Sequence, residues 1–371
     1  MQVVTTRWRL SIYCLLFTLV LSGQTFACQV PVFRYALERW KADTYEMKLR
    51  FDQLAPKLEK KLIQVAGESE KAHPSLNLSL EMEIVDELEQ PKYELFSPQN
   101  AASQLKIMSG SLSEKVLDEV VASPVREKIV EKILSGESAV WLLVLSGDDA
   151  KDEKARELLK RSLKAASNSI SLPEGIKGKG HEAKSEEEKE NTLTSEIPLK
   201  IAFSIIELNP EDAREQALVR MIFAGKGEGF YKGKVMVAPV FGRGRTTGPV
   251  DMADLTEDKI LQACQFLCGA CSCGVKEQNP GFDLLLAVDW HEKVAQSQVI
   301  IEKPLADMSS FASDIAKDET AAETMQQTEP SIEQAENLTD DKNSGLLLYA
   351  IAGLLIVVGL GSAYILKRGN E

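Results

Sequence analysis

Apolar residues along the chain form short continuous runs separated by stretches with helical periodicity. Runs of this kind predict strands buried on both faces. They lie at residues 139–146, 199–208, 234–241 and 283–290. The alternation of strand and helix predicts an α/β fold with a mostly parallel sheet and flanking helices. A thioredoxin-like or related βαβ architecture is among the arrangements that this pattern allows.

The N-terminal part is less regular but follows the same scheme. A helix is predicted to open at Pro31, and the alternation in residues 45–51 and 76–85 predicts two strands. A long helical stretch, 113–137, follows, and Pro124 should divide it because proline lacks the N–H that a helix interior requires.

Composition divides the chain further. The segment 173–198 is charged, contains glycine and has almost no apolar residues, which predicts a disordered insertion or linker. It separates an N-terminal α/β half, 28–172, from a C-terminal half, 199–302, that carries most of the cysteines. The residues leave open whether these halves are two domains or one.

Both ends of the chain predict a membrane protein with its folded part outside the cell. Residues 1–27 have the basic start, short apolar core and small-residue cleavage site of a signal peptide. Residues 345–366 are an uncharged apolar run long enough to span a bilayer, and the tail 367–371 begins with Lys-Arg. The positive-inside rule puts that tail in the cytoplasm. We therefore expect a single-pass protein of the bacterial cell membrane.

Charge narrows the class of partner. The net charge of −13 and a pI near 5.0 argue against nucleic acid, which is bound mainly through Lys and Arg. Residues 303–344 alone hold ten acids and three lysines, and they predict an acidic disordered stalk before the membrane helix.

Four cysteines lie within ten residues, "CQFLCGACSC", as Cys264, Cys268, Cys271 and Cys273. An iron–sulfur cluster is excluded by the predicted export, and zinc sites usually take two separated pairs. "CGAC" resembles the active-site pair of thioredoxin-like enzymes, but it ends a predicted helix, where the dipole opposes a thiolate. Three interpretations stay open: structural disulfides or inert thiols, a redox pair, and bound Cu(I) or Zn.

Cys28 is the candidate partner far from this cluster. It would be the first residue after signal cleavage, and lipidation there is a weaker alternative because the preceding residues fit a lipoprotein signal poorly. Five mature cysteines cannot all pair within one chain. We take Cys271, Cys273 and Cys28 as redox or metal candidates, with Cys264 and Cys268 secondary.

The segment "FGRGRTTG" is the second candidate site. Gly242 and Gly244 follow a predicted strand, where α/β sheets often bind ligands, and Arg243 and Arg245 could hold an anion. The alternative is a turn whose arginines face water. With three histidines and no nucleophile motif, the sequence gives hydrolase chemistry no support, and no other catalytic motif is present.

The segments "CQVPVFRYALERW" (28–40), "VWLLVLSGD" (140–148) and "GACSC" (269–273) together resemble a group of uncharacterised exported, membrane-anchored bacterial proteins. The resemblance implies location and architecture, and no activity. We therefore expect a binding or scaffold component of a cell-envelope complex, with a protein partner in the envelope. The alternatives are a thiol-redox or copper-handling protein and a binder or enzyme for an anionic ligand.

Overall fold

The computed structural model describes residues 28–69, 75–99 and 104–294, which fall within one compact unit. The predicted signal peptide, stalk, membrane helix and tail lie outside these residues. Among the helices of the described ranges, none is both long and apolar enough to cross a membrane.

The first part of the chain forms one helix and then a four-stranded sheet with three further helices. The elements are α1 (Val32–Arg39), β1 (Tyr45–Phe51), α2 (Pro56–Ser69), β2 (Leu78–Ile84), β3 (Lys92–Phe96), β4 (Lys106–Ser111), α3 (Glu114–Val121) and α4 (Pro124–Leu134). Proline at the first position of α4 and the Ser123 cap before it separate α3 from α4, as predicted.

The second part forms a six-stranded sheet and its helices. The elements are β5 (Ala139–Val144), α5 (Asp149–Ser169), α6 (Glu186–Glu190), β6 (Phe203–Leu208), α7 (Gln216–Ile222), β7 (Met236–Phe241), β8 (Arg245–Thr246), β9 (Val250–Asp251), α8 (Glu257–Cys268), α9 (Cys273–Gln278), β10 (Phe282–Asp283) and α10 (Trp290–Lys293). Single turns of 3₁₀-helix lie at Ala213–Glu215, Glu228–Phe230 and Met252–Asp254.

The prediction of an α/β fold with flanking helices is confirmed, but the mostly parallel sheet is wrong. The four-stranded sheet has the order β2-β1-β3-β4, and the six-stranded sheet runs β10-β8-β7-β5-β6, with β9 pairing with β7. Only β1 with β2 and β5 with β6 are parallel; the other six described pairings are antiparallel.

The apolar runs led to a wrong prediction of strand direction, because a strand can be buried on both faces while its neighbours run antiparallel to it. In β5, Val140, Leu142 and Val144 enter one hydrophobic cluster, which also takes in the inner face of the four-stranded sheet. Their neighbours in sequence, such as Trp141, enter a second cluster that α1, α5 and α8 form on the opposite face. The strand is therefore covered on both sides although it pairs antiparallel with β7.

The predicted strand at 283–290 is also wrong. Only Phe282 and Asp283 pair as a strand, and the chain then continues as a buried segment without regular structure. Its backbone groups are satisfied elsewhere: Leu284 donates its N–H to the Gly244 carbonyl, and the Asn77 side chain bridges the backbone of Leu284 and Leu286. Side-chain and loop partners replace the strand ladder.

The segment 173–198 is ordered, which corrects the prediction of disorder. It contains helix α6 and a bridge between Lys177 and Thr192, and it is held against α1 by hydrogen bonds. The Asn191 side chain accepts from the Gln29 N–H, and the Thr192 carbonyl accepts from Arg39. Polar contacts to a buried helix keep this segment in place in spite of its low apolar content.

Candidate functional site

The residues before α1 pair with the cysteine-rich segment. Pro31 and Ala270 form an antiparallel bridge, flanked by a hydrogen bond from the Cys271 N–H to the Val30 carbonyl (3.0 Å). The Val32 N–H donates to the Gly269 carbonyl at 3.1 Å. The fold thus brings Cys28 to the segment that carries Cys271 and Cys273, although Cys28 lies more than 240 residues before both in sequence.

Two of the five cysteines have the chemistry of core residues. Cys264 and Cys268 lie in the C-terminal half of α8 and are fully buried. Burial raises the pKa of the Cys268 thiol to about 11 and that of Cys264 still further. Both are therefore protonated and unreactive at neutral pH. Among the cysteines whose side chains the structure describes, no two form a disulfide.

Cys28 lies in a more polar environment. Its thiol donates to the Glu190 carbonyl at 3.6 Å and is 3% exposed. Lys276 comes to the same place: its ammonium lies 3.0 Å from the Glu190 carboxylate and 5.0 Å from the centre of the Tyr35 ring. Burial works against the charge of Lys276, but its hydrogen bond to Glu190 and the nearby Cys28 thiol outweigh burial and raise its pKa. The ammonium group of Lys276 therefore lies in the same polar region as Cys28.

Helix α1 is buried on every side and contains an ion pair. The guanidinium of Arg34 lies 2.7 Å from the Glu38 carboxylate, and both side chains are 0% exposed. The Ser195 hydroxyl bridges the two side chains: it accepts a hydrogen bond from Arg34 at 2.8 Å and donates one to Glu38 at 3.0 Å. Glu38 also accepts the backbone N–H groups of Thr194 and Ser195. These bonds attach α1 to the segment 173–198.

The Gly-Arg-Gly-Arg loop packs on the C-terminal half of α1. Gly242 has a φ of +59°, and a Cβ there would come within 2.6 Å of the Ala36 side chain. Arg243 is buried and donates to the Leu37 carbonyl at 2.9 Å. Burial lowers its pKa to about 10. The loop therefore ends the helix, and the expectation that its arginines face water is wrong.

Arg245 binds two carboxylates that belong to the chain itself. One of its guanidinium nitrogens lies 2.8 Å from Asp283 and 3.1 Å from Asp43, and the guanidinium stacks over the Trp40 ring. Asp43 and Asp283 also accept each other's backbone N–H, at 3.0 and 2.9 Å. Burial, with the Asp283 charge next, raises the pKa of Asp43 to about 7. We call Asp43, Asp283, Arg245 and Trp40 the Arg245 cluster.

The second guanidinium nitrogen of Arg245 donates to the Asn279 and Gly281 carbonyls. Arg245 lies in β8, and its hydrogen bonds connect this strand with the segment that follows α1 and with the segment that precedes β10. Gly244, between the two arginines, has a φ of +98° and packs against Leu286. Anion binding at this loop stays a prediction, and in the structure both arginines donate to the chain's own oxygens.

Sequence reasoning missed Arg34, Glu38, Asp43 and Lys276. A signal for the first two was present: they are four residues apart in a helix whose other residues are almost all apolar, and such a helix is usually buried. Acid and base at that spacing then predict a buried pair. For Asp43 and Lys276 the sequence has no comparable signal, because their partners lie far along the chain.

A bound metal is one of the interpretations of the cysteine-rich segment. In the described ranges, no group of three or more His, Cys, Asp or Glu side chains is placed to hold a metal ion. A two-coordinate Cu(I) site needs only two sulfurs, so the Cys-x-Cys prediction stays a prediction. No protein-family model matches the chain, and no curated protein matches it significantly.

Proposed function

We propose that the protein is a binding or scaffold component of the cell envelope, anchored in the membrane with its α/β region outside. One observation carries the proposal: the buried arginines Arg126, Arg243 and Arg245 donate hydrogen bonds to oxygen atoms of the chain itself. Arg126, for example, is buried and donates to the carbonyls of Glu119, Val120 and Leu285. Ionisable groups with shifted pKa values that face a substrate site are typical of an enzyme. Groups of this kind that connect segments of the chain to one another are typical of a rigid binding platform.

The strand order supports a thioredoxin-type platform. In each sheet the first two strands along the chain are parallel and are connected through a helical segment, and two antiparallel strands follow them. The spatial orders of the strands are therefore β2-β1-β3-β4 and β6-β5-β7-β8. In the second sheet α7 precedes β7, and α8 comes after β8 and packs on α5. We infer two thioredoxin-type units in tandem that share one core.

Neither unit has a thiol where redox enzymes of this type carry their reactive pair, after the first strand. The first has Asp52 and Gln53 there, and the second has Ser146, Gly147 and Asp148. Asp148 caps α5 by accepting the N–H groups of Ala150 and Lys151. A residue that caps a helix in this way stabilises the fold and supplies no reactive thiol. The two units therefore fit a binding protein better than a catalyst.

Site-specific photo-crosslinking in the native membrane tests this proposal. A photo-crosslinking amino acid is placed at one exposed position at a time. Positions on one face of the protein should all give an adduct of the same mass, and positions on the opposite face should give none. The full-length protein should not change the turnover of dithiol or disulfide substrates. Adducts spread evenly over all faces, or a catalytic rate with such a substrate, would overturn the proposal.

A thiol site at Cys28 and the Cys-x-Cys pair is the second candidate. The backbone bridge that brings Cys28 beside Cys271 and Cys273 favours it, as does the cation of Lys276 at Cys28. In the exported compartment, thiol–disulfide exchange with a disulfide-bearing oxidant would convert two of these thiols into one disulfide and the oxidant into two thiols.

Alkylation and mass mapping of the full-length protein distinguish the two candidates. A regulated thiol site predicts a disulfide between Cys28 and the Cys-x-Cys pair that forms with glutathione disulfide and opens with mild dithiothreitol. Copper analysis of the same sample tests the Cu(I) alternative. If Cys28 stays unmodified under both treatments and no copper binds, the thiol site is excluded and the scaffold proposal stands.

A further inference from the structure

Strand β2 is at one edge of the four-stranded sheet and exposes an unusual surface. In the described part of the chain it pairs only with β1. Toward its end, Met82 is 50% exposed and Ile84 is 73% exposed. Exposed apolar residues on an unpaired edge are a liability that most proteins avoid, so their presence needs a reason.

The apolar residues continue the core face of the sheet. In the parallel register Leu49 lies opposite Met82 and Phe51 opposite Ile84, and side chains at paired positions share a face. Leu49 is fully buried and Phe51 half-buried. The hydrophobic cluster takes in Leu78 at the start of β2 but does not reach its last residues. A strip of core-type surface therefore ends uncovered at the sheet edge.

The opposite face of the same strand is acidic. Glu81 and Glu83 alternate with the apolar residues, and both are exposed. Lys48 of β1 lies 2.8 Å from Glu81, so this face already binds a cation from one side. A neighbour on the free side would meet acids on one face and apolar side chains on the other.

We propose that β2 receives an extended partner segment in which basic and apolar residues alternate. The partner's backbone would add a strand to the sheet, its apolar residues would cover Met82 and Ile84, and its basic residues would face Glu81 and Glu83. A second copy of the chain fits less well, because two β2 strands side by side would place acids against acids. This inference rests on the proposed binding function and names its partner class.

Peptide binding to the full-length protein in detergent tests the inference. A labelled nine-residue peptide of alternating Val and Lys should bind at least tenfold more tightly than a peptide of the same composition with its lysines at one end. The double charge reversal Glu81→Lys with Glu83→Lys should remove that difference, and Ile84→Lys should weaken binding. Ile63→Lys is the matched control, since Ile63 is 66% exposed on α2, and it should change nothing.

Equal binding of the two peptides, or a charge-reversed protein that still prefers the alternating one, would overturn the inference. Hydrogen exchange adds an independent measurement: the alternating peptide should slow amides within Leu78–Ile84. If those amides are already as protected as the amides of β1 without peptide, the chain covers its own edge and the inference also fails. The photo-crosslinking experiment would still report a partner on another face, so the proposed function can survive this failure.

Discussion

Replacing Asp43 with Asn tests the proton balance of the Arg245 cluster. Two carboxylates share one guanidinium in a nearly closed environment, where the Asp43 side chain is 12% exposed. Burial and then the charge of Asp283 raise the pKa of Asp43 to about 7, from an ordinary value of 3.8. Arg245, Asp283 and the Tyr45 ring are the charged and titratable groups that face this carboxyl.

The sign of the effect follows from proton binding. The folded protein holds the Asp43 proton more tightly than the unfolded chain does, so the contribution is complete below about pH 4 and disappears as the pH rises through 7. Between pH 5 and pH 8 this loss is at most roughly 2.5 kcal/mol of unfolding free energy.

Urea unfolding at pH 5 and pH 8, followed by tryptophan fluorescence, measures this difference. The wild-type protein should lose stability over that interval, and Asp43→Asn should lose at least about 1 kcal/mol less, because the amide removes the second negative charge. At pH 8 the variant should be the more stable protein. If wild type and variant show the same pH dependence, our account of the cluster is refuted.

Three further predictions concern the surroundings of α1. Glu38→Gln should lower the unfolding free energy by about 3 kcal/mol or more, because it leaves the Arg34 charge buried without a counter-ion; a loss below about 1 kcal/mol in urea titrations would contradict the buried pair. Gly242→Ala should destabilise clearly more than Gly147→Ala, since both glycines have positive φ but only the first would drive a Cβ into a neighbour; equal melting temperatures would refute this. Cys264 should resist N-ethylmaleimide at pH 8 until the protein is denatured, as intact-mass measurements will show.

Sequence reasoning succeeded where structure is local. The break at Pro124 between α3 and α4 and the apolar strand β5 were predicted, because each depends on residues within a few positions. Strand direction was not, since it depends on which strands meet across the sheet. The helix end at Cys268 was predicted from the same local rules, and it places "CGAC" away from a helix N-terminus.

The candidate site shows the same division. The sequence named Cys28 and the Cys-x-Cys pair separately, but only the fold brings them to one place through the bridge from Pro31 to Ala270. The turn interpretation of the Gly-Arg-Gly-Arg loop agrees with the positive φ of Gly242 and Gly244. That Arg245 would meet Asp43 could not be read from residues 202 positions apart.

The burial of α1 also determines when the chain can fold. Arg34 bonds to Ser195, 161 residues later, and the carbonyl that Arg243 caps lies 206 residues before it. Contacts at such separations form slowly, because a long loop must close before they contribute. The apolar residues around Phe33 and Trp40 stay uncovered until the cysteine-rich segment has been synthesised and can pair with the residues before α1. The residues of this helix are synthesised before the segments that cover them, and their apolar side chains are exposed to aggregation during that interval.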